Sequence, residues 1–162
     1  MFEGGNATKL SRGKAVSISL SKSINASAQK VCDHWLIPVF VGEWMFGAHV
    51  KQEKIVQLKN EVRKGGSFSF TVNQRGTDIQ HSGSYLELDI PNRLVFSWTS
   101  STHPGCESQI TVQFLQEKEK TKLKITIKLD AELGNFRDEI KREWTVRCNA
   151  LAEKFEKQSS LV

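Results

Sequence analysis

Few side chains in this 162-residue chain sit at spacings that support catalysis. The four histidines, His34, His49, His81 and His103, lie far apart. Cys32 and His34 are two apart on a stretch that reads as helix, so their side chains diverge and cannot share a metal. His103 and Cys106 form a lone pair in a loop, short of the three or four ligands that zinc takes. No Ser-His-Asp order, nucleophile elbow or phosphate-binding loop is present, and Gly65-Gly66 is too short to cradle a phosphate. Neither a metal nor a cofactor is expected. Acid–base work in a cavity would fall to Glu43, Arg75 and His81. His81 shares strand parity with Gly83, Tyr85 and Glu87, whereas Leu86, Leu88 and Ile90 hold the apolar parity. The alternation therefore predicts His81 on the solvent face unless a bulge shifts the register.

The aromatic residues offer binding rather than reaction. Trp35, Trp44, Trp98 and Trp144 fall on elements that should face one interior, with Phe68, Phe70 and Phe96 beside them. Two readings stand: ordinary core packing, or the lining of a cavity for a small apolar or aromatic ligand. The lysines offer a third kind of chemistry. Lys118, Lys120, Lys122, Lys124 and Lys128 cluster near Glu117 and Glu119, and Lys122, Lys124 and Lys128 share one outer face. Such a row is either a solvated surface that opposes aggregation or a docking face for an acidic protein partner. Nucleic-acid binding is disfavoured, because the aromatics alternate inward instead of standing among the lysines.

The elements that must position these residues are read from periodicity. In 15–24, Val16, Ile18 and Leu20 alternate with serines, as in a half-buried strand. Asn25 or Ser27 can cap a helix with Ala28, Val31, Cys32 and Trp35 inward. Pro38 ends it and opens a second short helix over 39–45. Strands follow over 52–62, 67–73, 79–90, 93–100, 107–116 and 122–130, separated by turns such as Lys64-Gly65-Gly66 and Pro91-Asn92. The last stretch, 135–158, sets Phe136, Ile140, Trp144, Cys148, Leu151 and Phe155 on one helical stripe. Asp138, Lys141, Arg142, Arg147, Glu153 and Lys157 take the other face, and Asn135 is a candidate cap.

Six strands in succession imply an antiparallel meander with one apolar face. That face needs a cover, and the long helix needs something to lie on. The expected fold class is α+β: a curved antiparallel sheet, in the order β-α-α-β-β-β-β-β-β-α, wrapped around the C-terminal helix. A cavity between sheet and helix is expected, with the two short helices at its mouth.

Composition sets the outer limits. Hydrophobic residues make up 38% and charged residues 25%, a soluble globular balance. No apolar run approaches the roughly 20 residues of a membrane helix. Residues 1–14 are expected to be a flexible tail without a secretory signal, and 15–160 a single domain. Three scattered cysteines read as reduced thiols in a cytoplasmic protein. A net charge of +5 permits an acidic partner without demanding one.

Four stretches in this order carry a family resemblance. They are INASAQKVCDHWLIPVFVGEWM at 24–45, EVRKGGSFSF at 61–70, GSYLELDIPNRLVFSW at 83–98 and REWTVRCNALAEKFE at 142–156. Together they resemble the helix-grip, START-like superfamily, also called SRPBCC. Within it, they are most similar to the C-terminal-domain-like homologues of activators of the 90-kDa heat-shock protein ATPase. Glu143 and Cys148 depart from residues usual there, Gly and Leu. The resemblance implies the helix-grip fold and a domain that takes a small hydrophobic molecule between sheet and helix. It also implies two alternatives: a stress-response module that modulates a heat-shock chaperone ATPase, or a cyclase- or hydrolase-like enzyme. No catalytic residue is assigned.

Overall fold

The computed structural model describes residues 16–48 and 50–160, so His49 and the expected tail over 1–14 lie outside the described residues. Strand β1 (Val16–Ile24) is followed by helices α1 (Ala28–Leu36) and α2 (Pro38–Trp44). Six strands then run without interruption: β2 (Lys54–Asn60), β3 (Ser67–Gln74), β4 (Thr77–Asp89), β5 (Arg93–Ser100), β6 (Ser108–Glu117) and β7 (Lys120–Leu129). A 3-10 helix (Ala131–Phe136) leads into the long α3 (Arg137–Ser160). The sheet order is β1-β7-β6-β5-β4-β3-β2, antiparallel at every pairing. The chain thus forms an open seven-stranded antiparallel sheet with a long C-terminal helix, the α+β helix-grip fold. Among the described residues, no helix is long and apolar enough to cross a membrane.

The two-residue period of the strands builds the core. Ile110, Val112 and Phe114 of β6 and Leu123, Ile125, Ile127 and Leu129 of β7 are all buried. Against this face α3 lays Trp144, Cys148, Leu151 and Phe155, also buried. Burying each such side chain contributes roughly 1.5–3 kcal/mol. Helix α1 starts at Ser27, whose side chain accepts from Lys30 N at 3.3 Å. Its last carbonyls have no helical partners, and other elements supply them. Trp44 Nε1 donates to His34 O at 2.7 Å, and Asn60 Nδ2 donates to Leu36 O at 2.6 Å. Tyr85 Oη in turn donates to Asn60 Oδ1 at 2.6 Å. This chain of bonds ties β4 and β2 to the end of α1.

The structure corrects four details of the sequence reading. First, β4 carries a register shift between Tyr85 and Glu87 against β5. Up to that bulge the inward residues are Ile79, His81 and Tyr85, and Leu86 is left exposed. The bulge returns Leu88 to the core while Ile90 stays exposed. Second, Arg147 is buried, only 5% exposed, rather than on the solvent face of α3. Third, α3 is entered through the 3-10 helix, capped by Asp130, whose side chain accepts from Glu132 N at 3.0 Å; Asn135 is not the cap. Fourth, Phe136 belongs to the 3-10 helix and is exposed, rather than on the buried stripe of α3. Glu143 pairs with Lys51 at 3.0 Å, Asp138 with Arg137 at 3.1 Å, and Lys154 with Glu43 of α2.

Candidate functional site

A cavity of about 200 Å³ lies between the first half of α3 and the inner face of β4 to β7. Its apolar wall comes from Ile79, Trp98, Ile110, Ile127, Leu129 and Trp144. The 3-10 helix closes one end with Leu133 and Phe136, and the β5–β6 loop adds His103, whose ring meets that of Phe136 at 4.7 Å. No lining residue comes from α1 or α2, so the two short helices do not form the mouth.

The seven aromatic candidates divide between this cavity and the solid interior. Trp98 and Trp144 line the cavity, with ring centroids 5.2 Å apart and edge to face. Trp35, Trp44, Phe68, Phe70 and Phe96 are buried in the packed core and do not reach it. Trp35 stands between the two groups, stacked on Trp144 at 6.1 Å and edge to face with Trp44 at 4.8 Å.

Two polar side chains inside the site were assigned to solvent by their position in the sequence. His81 lines the cavity with its ring between Phe46 and Trp98, at 5.4 and 5.3 Å. Burial, helped by the Arg147 and Lys51 charges, pushes its pKa down to about 3, so it is a neutral imidazole at pH 7. Arg147 lines the cavity as well. Its Nε donates to Met45 O at 3.0 Å, and its guanidinium sits over Trp144 at 4.6 Å and Phe46 at 5.3 Å. The sequence carries a signal for one of them, the position of Arg147 one turn from Trp144 and Leu151; His81 is turned inward by the bulge in β4, which shows only in the structure.

The other candidates lie outside the cavity. Glu43 is on α2 and holds Lys154, and Arg75 is exposed in the β3–β4 turn with a φ of 51°. Cys32, Cys106 and Cys148 are buried, and Cys106 Sγ donates to Glu132 Oε2 at 3.8 Å. Burial pushes Cys32 and Cys148 up to about 12, which leaves them protonated and poor nucleophiles. Cys106, Asp130 and Glu132 bring one ligand atom each within 4.8 Å of one another. The Asp130 carboxylate is already engaged, accepting from Glu107 N and Glu132 N at 3.0 Å each. Lys122, Lys124 and Lys128 are exposed on the outer face of β7. They stand opposite Ser23, Ser21 and Ser17 of β1 and Leu115, Gln113 and Gln109 of β6, so no acid faces them across the strands.

A neutral His81 makes fold stability depend on pH. Its folded pKa is lowered, so the unfolded chain binds the extra proton below pH 6.5. The contribution is present above that value and is lost as pH falls towards 3. His34, also pushed down by burial, acts with the same sign. Between pH 7 and pH 5 the His81 contribution is about 2 kcal/mol of lost stability. Urea unfolding of wild type and His81→Phe at both pH values measures it. An equal slope in the two proteins would show that His81 does not cause it.

Known proteins place this architecture. Protein CV1439 from Chromobacterium violaceum superposes with a TM-score of 0.74 at 17% identity, over 86% of this chain and 96% of its own. The AHSA1-like protein from Aeromonas hydrophila gives 0.70 at 16% identity, over 91% and 96%. CalU16 from Micromonospora echinospora gives 0.66 at 20% identity, over 90% and 80%. At these identities the likeness is one of fold. No curated protein matches the sequence. The profile of the family described as "Activator of Hsp90 ATPase homolog 1-like protein" matches residues 25–156. That match runs from the entry to α1 through most of α3, well over half the chain, and the protein therefore belongs to the activator of Hsp90 ATPase homolog 1-like family.

Proposed function

We propose that this domain is a non-catalytic binding module for a small, largely apolar ligand with one or two rings. The observation that carries the reading is the cavity of about 200 Å³ walled by Trp98 and Trp144 on one side and by β-branched residues on the other. A dry apolar cavity of about 150 Å³ holds benzene, so this one is of the size for a single or fused ring system. An aromatic ligand would gain edge-to-face contacts with both indoles. Catalysis fits less well. His81, the ionisable group best placed for it, has no hydrogen-bond partner at Nδ1, and a base of pKa near 3 is far from matched to neutral pH.

Calorimetric titration with indole tests the reading, alongside native mass spectrometry of freshly purified protein. Ile127→Phe adds a ring to the apolar wall and is expected to weaken indole at least tenfold while the protein stays folded. Unchanged affinity in that variant would place the ligand elsewhere. The row of Lys122, Lys124 and Lys128, with no acid opposite, supports a second reading, in which the outer face docks an acidic surface of a heat-shock chaperone. Under that reading, the protein changes the chaperone's ATP turnover and Lys122→Glu with Lys124→Glu abolishes the change. No effect of wild type on turnover at low salt removes it.

A further inference from the structure

Arg147 is a buried cation whose hydrogen bonding is unfinished. Of the five N–H donors on its guanidinium, the Nε–H is used, on Met45 O. Among the described residues, the terminal nitrogens donate to no protein acceptor. The nearby acids are committed elsewhere. Glu143 pairs with Lys51 at 3.0 Å. Glu53, itself buried, accepts from Gly47 N at 3.1 Å and from Gln74 Nε2 at 3.0 Å. Glu139 reaches the cavity rim from the exposed first turn of α3. The charges of Glu143 and Glu53 soften the field around Arg147 without bonding to it. A buried charge left without a hydrogen-bonded counter-ion is costly, and native structures rarely keep one without use.

The geometry favours one kind of partner. Arg147 Cζ lies over the ring of Trp144 at 4.6 Å and over that of Phe46 at 5.3 Å. Such ring contacts take up none of the N–H donors at the edge of this planar group. That edge matches a carboxylate in a bidentate pair. A second unused polar atom belongs to the same cavity wall: Nδ1 of His81 is buried and has no partner. A neutral imidazole can give or take one hydrogen bond there without adding charge.

We propose that the ligand of this cavity is an aromatic carboxylate, and that Arg147 receives its carboxylate through the terminal nitrogens. The inference rests on the binding reading above and specifies its chemical class. The ring lies against Trp98 and Trp144, the carboxylate meets the terminal nitrogens of Arg147 at the cavity wall, and His81 lines the same cavity. Arg147 is then the residue that determines specificity.

Three probes of one shape separate the parts: indole, indole-3-carboxamide and indole-3-carboxylate, titrated calorimetrically into wild type and Arg147→Met. In wild type, the carboxylate is expected to bind at least about tenfold more tightly than the isosteric carboxamide. In Arg147→Met, which replaces a buried charge by an apolar chain of similar length, that ratio falls to about one. A wild-type ratio near one overturns the proposal and leaves the cavity reading standing. A ratio that survives in Arg147→Met overturns the role of Arg147. Failure of all three probes to bind wild type at millimolar concentration overturns both. The wild-type comparison decides even where the variant does not fold.

Discussion

Trp44→Ala is expected to lower the unfolding free energy by about 4 kcal/mol or more, most of the stability of a domain at the low end of the usual range. Two losses combine. The indole is fully buried and meets Trp35 edge to face at 4.8 Å, so truncation opens a large void. Its Nε1 also serves His34 O at the end of α1, a carbonyl with no helical partner. Trp44→Phe separates the terms. It keeps a six-membered ring and removes the donor, at a cost of about 1–3 kcal/mol for the orphaned carbonyl plus a smaller void than alanine leaves. Urea titration of both variants followed by far-ultraviolet circular dichroism gives the two values. If Trp44→Ala costs no more than Trp44→Phe, the ring does not anchor the short helices. The consequence for function is indirect. Trp35 stacks on Trp144, and Trp144 forms a wall of the cavity, so loosening Trp44 removes support from the site through two layers of rings.

The elements of this fold were legible because each obeys one simple period. The alternation of Leu123, Ile125, Ile127 and Leu129 states the inner face of β7 outright, and Pro38 marks the start of α2. The site was legible only in part, since it depends on where that periodicity breaks. One inserted residue in β4 turns His81 inward, and no residue type in GSYLELDI announces the bulge. Charge alone puts Arg147 on the outer face, yet a guanidinium over two rings behaves as a flat, partly apolar group. Nor could hydrophobicity say which of seven aromatics border a void and which fill the core. That division is set by tertiary packing, which brings Trp98 and Trp144 to the cavity and seals the other five in the core.

Gly83→Ala is the second large loss, about 3 kcal/mol or more. The reason is space, not backbone torsion. A Cβ on Gly83 would stand 1.9 Å from Ser97 O, 2.7 Å from Ser97 C and 2.7 Å from Phe68 Cζ. The first two atoms are backbone of β5, so the clash is relieved only by moving strand from strand. At this point β4 and β5 are held close by Ser84 N donating to Ser97 Oγ at 2.9 Å, next to the bulge that begins at Tyr85. Gly105→Ala is the control. It has a φ of 81° and nothing within 4 Å of the added carbon, so only the left-handed conformation is strained, at about 1–2 kcal/mol. Equal losses in the two variants would refute the close approach of β4 to β5. A larger loss at Gly83 carries a further consequence for the site. His81 lies two residues before Gly83 and Trp98 follows Ser97 directly, so strands forced apart there separate the imidazole from the indole it stacks on at 5.3 Å. Whatever Gly83→Ala protein remains folded should therefore bind indole more weakly than Gly105→Ala does, and the pH slope attributed to His81 should shrink with it as the ring gains access to water.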